Sequence, residues 1–159
     1  MVFGLLILSL LSFLVTACQP SEEQFKQECR ENISTYHETM SELVNQFNKA
    51  YNRAMGYDTG EEVPQDLIQE LQGIHDEIGK IDTPTCVQDV QTEYLDAQEY
   101  LINFADNNFV HEDDGSGFIE STAITNMYIQ IVLSSIEEDP EEFIYNSWLD
   151  FTTNDAAEE

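Results

Sequence analysis

Positive charge is scarce in this chain: five Lys and Arg stand against 32 Asp and Glu, a formal net charge of -27 at pH 7. Nucleic-acid binding depends on neutralising phosphates, so that balance excludes it, and direct adsorption to anionic lipid head groups is opposed for the same reason. Cysteine is rarer still, with three residues and no CxxC pair, which leaves no zinc-knuckle spacing. The three histidines, His37, His75 and His111, make no helical metal pair at i, i+4. A phosphate-cradling glycine loop, a dinucleotide fingerprint, an HExxH pair and a nucleophile elbow are all missing. No catalytic constellation is assembled, and the expectation is a protein that is not an enzyme. The strict apolar-polar alternation of strands is missing too, which points to an all-α fold.

What is present begins with the one long apolar run, Val2 to Leu14, shorter than the ~20 apolar residues that a membrane-spanning helix needs. It ends in Val15-Thr16-Ala17-Cys18. These residues resemble the leader and lipobox of bacterial lipoproteins, although the leader carries no Lys or Arg. The resemblance implies a signal peptide over residues 1–17, cleavage before Cys18, acylation of Cys18 and a lipidated anchor over 18–20. Two or three acyl chains at ~0.8 kcal/mol per buried CH₂ hold a protein body durably at a membrane. The implied location is extracytoplasmic, lipid-anchored to the cell membrane. Gln19 rather than Asp after the lipid site implies the outer membrane where a cell has two.

With Cys18 assigned to lipid, Cys29 and Cys86 remain as a pair in a compartment that permits oxidation, and one disulfide between them is expected. Regularly spaced apolar residues and plentiful aromatics argue for one folded domain over residues 21–151, with an acidic tail over 152–159. Self-repulsion among the carboxylates costs stability, so the melting temperature should rise with ionic strength in a thermal scan. The acidity has three candidate origins: salt adaptation, a cationic partner, or solubility in the envelope.

Spacing predicts an up-down bundle of about four helices plus a short C-terminal helix. Ser21 and Gln24 form a capping-box signature, and Phe25, Cys29, Ile33, Tyr36, Met40, Leu43, Phe47, Ala50 and Ala54 follow along one face up to a Gly56 cap. Pro64 opens a second helix with a seam of Leu67, Leu71, Ile74, Ile78 and Ile81. Thr83 as N-cap and Pro84 start a third, with Val87, Val90, Tyr94, Ala97, Leu101 and Phe104 inward. Helices one and three should then run parallel, with Cys29 and Cys86 at matching ends. A loop over Asn107–Gly117 leads to a fourth helix, Phe118 to Ile136, in which Ile119, Ala123, Met127 and Ile131 with their apolar neighbours Ile124, Tyr128, Val132 and Leu133 cover more than one face, a wide apolar surface that belongs in a core. Pro140 begins the last helix, whose Trp148 and Phe151 either close the core or face a partner. The stretch from Leu71 to Cys86, with Tyr94 and Phe104, is similar to small all-helical lipoproteins in which a Pro and a Cys open the next helix.

Two strings carry candidate chemistry. Glu112 to Glu120 resembles part of an EF-hand calcium loop, with Glu112, Asp114, Ser116, the Phe118 carbonyl and Glu120 as ligands and Gly117 as the turn; Ala123 stands where a bidentate Glu would close the sphere. An acidic, glycine-containing connector is the other reading of the same residues. Gly73-Ile74-His75-Asp76-Glu77 resembles the GxHxxE motif of imelysin-like envelope proteins, with Ile78 in place of the Glu. The leading expectation is a lipid-anchored envelope protein with a binding or structural role and an envelope protein as partner. The alternative is solute or divalent-cation binding through residues 112–120.

Overall fold

The computed structural model describes residues 20–110 and 116–155. Ser21 opens α1 (Glu22–Ala54) through a complete capping box: its Oγ accepts from the Gln24 amide at 3.3 Å and its own amide donates to Gln24 Oε1 at 3.0 Å. Thirty-three residues make this helix about 50 Å long, and the face read from spacing is buried from Phe25 to Ala54. Its end differs from expectation. The cap is Met55 in right-handed conformation, and the left-handed glycine is Gly60, at φ 84°, inside the following loop. α2 (Gln65–Ile78) follows Pro64, and its seam is buried from Leu67 to Ile78. Ile81 lies beyond the helix, half-buried in the connection.

A 3₁₀ turn (Thr85–Val87) precedes α3 (Gln88–Asp106). Thr83 is not its N-cap, since Pro84 and Val87 hold the cap positions, and its single hydroxyl hydrogen is shared between the Ile81 carbonyl at 3.1 Å and Gln91 Oε1 at 3.0 Å. The buried Gln91 returns Nε2 to the Ile78 carbonyl at 3.2 Å, so one amide side chain ties the α2–α3 connection. α3 ends in a Schellman cap: the Phe109 amide donates to the Phe104 carbonyl and the Asn108 amide to that of Ala105, with Asn108 at φ 55° and Phe109 at φ 58°. Asn108 does more than tolerate that conformation. Its carbonyl accepts from Gly60 at 2.8 Å and its Oδ1 from Val63 at 3.0 Å, which pins the α1–α2 loop to the end of α3.

The fourth helix is one rod in three windings: α4 (Ser116–Met127), a π-helical stretch (Tyr128–Leu133) and α5 (Ser134–Glu138). Asp139 caps α6 (Pro140–Asp155) by accepting from the Glu142 amide at 3.1 Å. At 16 residues α6 is longer than the short helix expected, and it crosses the boundary set at residue 151, since no Gly or Pro stops it. Trp148 closes the core against Phe25, ring centroids 5.3 Å apart. α6 runs antiparallel to the start of α1, with Arg30 and Glu141 paired at 2.8 Å and Lys26 over the Tyr145 ring. That guanidinium's hydrogen bond holds the Glu141 carboxyl below the usual range. The described residues form an all-α bundle with no strand.

The face of the fourth rod is a correction. Ser121, Thr125, Tyr128, Val132, Leu133 and Ile136 are buried, whereas Ile119 is 70%, Met127 40% and Ile131 59% exposed. Apolar residues surround this rod, so apolar periodicity cannot select a face. Packing selects it: Tyr128 stacks on Tyr94 at 4.3 Å between centroids and shares a hydroxyl–hydroxyl hydrogen bond with Tyr36 of α1. The Tyr94 hydroxyl accepts from the buried Gln98 at 2.9 Å. Burial pushes the phenols of Tyr36, Tyr94 and Tyr128 well above their ordinary range.

Candidate functional site

Cys29 on α1 and Cys86 in the 3₁₀ turn are buried at disulfide distance, Cα atoms 6.1 Å apart, with the Cys86 amide donating to Cys29 Sγ at 3.2 Å. The adjacent Thr85 hydroxyl donates to Glu28 at 2.9 Å, a second link beside the sulfurs between α1 and the 3₁₀ turn. Helices α1 and α3 therefore start at the same end of the bundle, as the up-down order requires. Cys18 and the leader lie outside the described residues, as do Glu112, Asp114 and His111. Among the described residues, no helix is long and apolar enough to cross a membrane.

The remaining residues of the calcium-loop string, Ser116, Phe118 and Glu120, are already helical. In an α-helix the Phe118 carbonyl points along the axis toward the amide four residues on, which is not the loop geometry of a seventh-position ligand. Its ring packs on Phe104, centroids 5.0 Å apart, while Glu120 is exposed. Gly117 makes no sharp turn. It lies in α4 directly against Tyr100, where an added Cβ would come within 2.7 Å of the ring. Among the described residues no group of three His, Cys, Asp or Glu is placed to hold a metal. His75 is half-buried on α2 with Nδ1 lacking a hydrogen-bond partner, and His37 stands 3.4 Å from the Ser41 hydroxyl.

A different place has the chemistry of a binding site. Between the end of α1, the end of α3 and the start of α4 lies a cavity of about 360 Å³, floored by Phe47, Leu101 and Phe118. Its polar groups are uncharged: Asn48, Tyr51, Asn52, Thr122, Thr125 and Asn126. The Tyr51 hydroxyl and Thr122 Oγ1 are buried without a hydrogen-bond partner, and burial raises the Tyr51 pKa. A buried hydroxyl without a partner costs about 1–3 kcal/mol, so this cavity holds unspent hydrogen-bonding capacity. Sequence reasoning missed it because its residues come from three helices and none belongs to a motif.

Compared with known proteins, the chain matches no family model, no curated protein and no solved structure.

Proposed function

We propose that this chain is the body of a lipid-anchored, extracytoplasmic envelope protein that acts by binding, with no catalytic role. The observation that carries the reading is the buried Cys29–Cys86 pair, because a disulfide persists in oxidising compartments, where the lipobox-like leader would deliver the chain. α1 begins at Glu22, so only Gln19, Pro20 and Ser21 separate Cys18 from the bundle. The anchor would thus hold the disulfide end of the bundle against the bilayer. Such a placement suits a protein that presents its far end and flanks to partners.

Intact-mass analysis of the native product tests this directly. The expected result is an amino terminus at Cys18 with the added mass of acyl chains, and loss of membrane partitioning in Cys18→Ser. A product beginning elsewhere, or weighing no more than its polypeptide, overturns the anchor.

A second reading, solute binding, is favoured by the partnerless hydroxyls of Tyr51 and Thr122. The uncharged lining selects a small neutral ligand with an apolar body and hydrogen-bonding groups. Cations have no carboxylate there to meet them. A screen of neutral aromatic alcohols and amides by thermal shift would show a rise in melting temperature with the parent chain and a smaller one with Tyr51→Phe. Equal shifts for both would remove the site.

A further inference from the structure

The exposed apolar side of the fourth rod calls for an occupant. Ile119, Ala123, Met127 and Ile131 recur every four residues, and all four face solvent. They make a stripe about 18 Å long, three helical turns. At its far end Ile131 stands between two connected hollows. One of about 370 Å³ lies between the rod and α6, and one of about 490 Å³ lies between the rod, α6 and the start of α3. Ile131, Val132 and Phe143 line both, and the second reaches down to Phe25. The result is a groove with an apolar floor that continues into an exposed apolar stripe.

Carboxylates border both hollows. Glu138, Asp139 and Glu142 border the first hollow, Asp89 and Glu93 the second, and Asp150 both. No Lys or Arg lines either hollow. Sequence explains why: all five Lys and Arg lie at or before Lys80, and residues 81–159 hold none. The two cations that reach α6 are already engaged, Arg30 with Glu141 and Lys26 with Glu22 and the Tyr145 ring.

These features choose among occupants. A second copy would bring the same carboxylates against this rim and be repelled. An anionic bilayer would be repelled likewise. The apolar leader, Val2 to Leu14, has no Lys or Arg to meet the rim. We propose that the stripe and groove dock a cationic amphipathic helix of a partner protein, its apolar face on Ile119, Met127 and Ile131 and its Lys or Arg side chains on the carboxylate rim. Apolar contact supplies affinity while the rim sets orientation, attracts the partner and excludes acidic helices.

The chain without residues 1–17 can be titrated with a labelled amphipathic peptide of leucine and lysine, about four turns long, and followed by anisotropy. A protein of this charge attracts any polycation, so the decisive variant leaves charge unchanged and its control removes charge away from the groove. The double variant Met127→Gln/Ile131→Gln should weaken binding by about tenfold or more, from the lost apolar burial. These side chains are exposed, so circular dichroism should be unaltered. Glu61→Gln/Glu62→Gln, which removes two charges from the α1–α2 loop instead, should leave affinity within about twofold. Equal weakening by both variants, or binding of a leucine–glutamate peptide as strong as that of the lysine one, overturns the proposal. So does sedimentation showing a dimer that the glutamine variant dissolves, which would assign the stripe to a second copy. Binding lost only when residues 1–17 are present would assign it to the leader.

Discussion

The hairpin of α1 and α2 and the remainder of the bundle solve the same packing problem with different materials. In the first, every buried position of α1 and α2 is apolar or tyrosine, the seam steps by three and four, and four of the chain's five Lys and Arg lie on α1. In the second, Gln91, Gln98, Ser121 and Thr125 are buried, a π-helical stretch interrupts the rod, large apolar side chains face water and no Lys or Arg follows Lys80. The first region is built for stability. The second spends stability on buried polar groups, unusual winding and an unpartnered apolar face, which are the features expected where a surface must bind something.

Alkali should break the second region's tie to the first. Tyr36, Tyr94 and Tyr128 join α1 to α3 and the fourth rod, and burial raises each phenol above its free value of about 10. A group whose folded pKa is raised contributes stability that is complete below the unfolded value and lost as pH climbs toward the folded one. The expected outcome is full stability up to about pH 10 and then cooperative loss of helix, with these phenols ionising only as circular dichroism collapses. Phenolate absorbance that reaches completion while the helices persist would contradict the burial of this cluster.

The disulfide is the covalent version of the same tie. Cys29 and Cys86 are 57 positions apart, and closing a loop of that size is worth about 4 kcal/mol in the chain-entropy model. Cys86→Ser, compared with the parent in oxidised urea titrations, should lose stability on that scale; a change under about 1 kcal/mol would show that the two regions hold together without it.

How much of this was legible follows the same division. The capping box, the α1 face, the α2 seam up to Ile78 and the start at Pro140 are each specified by a few neighbouring residues, and sequence reasoning placed them, while the Cys29–Cys86 pair was placed because they are the only cysteines after Cys18. The all-α bundle follows from them. The fourth rod was misread because Ile119, Ala123, Met127 and Ile131 form as good an apolar stripe as Tyr128, Val132 and Leu133, and the choice depends on Tyr36 and Tyr94 from distant helices. Asn108 was read as loop because its role, accepting from Gly60 and Val63, exists only once α3 meets the α1–α2 connection. Gly117 was assigned the turn of a calcium loop, since nothing local reveals that Tyr100 lies against it.

That last residue, paired with Gly73, lets one kind of substitution, Gly→Ala, probe both regions with opposite sign. In α4, Gly117→Ala would set a Cβ at 2.7 Å from the Tyr100 ring, and because Tyr100 is packed against the core it cannot swing aside freely. Overpacking of this kind costs about 1–3 kcal/mol, more than the helix propensity that alanine adds. In α2, Gly73 faces open space, with nothing within 4 Å of an added Cβ. There Gly73→Ala removes backbone freedom from the unfolded chain and nothing from the folded one, so it should stabilise by about 0.5–1 kcal/mol. Paired urea titrations give the comparison directly. If both substitutions stabilise, Tyr100 yields easily and the start of α4 is loosely held; if both destabilise, Gly73 meets a neighbour that this bundle does not place there.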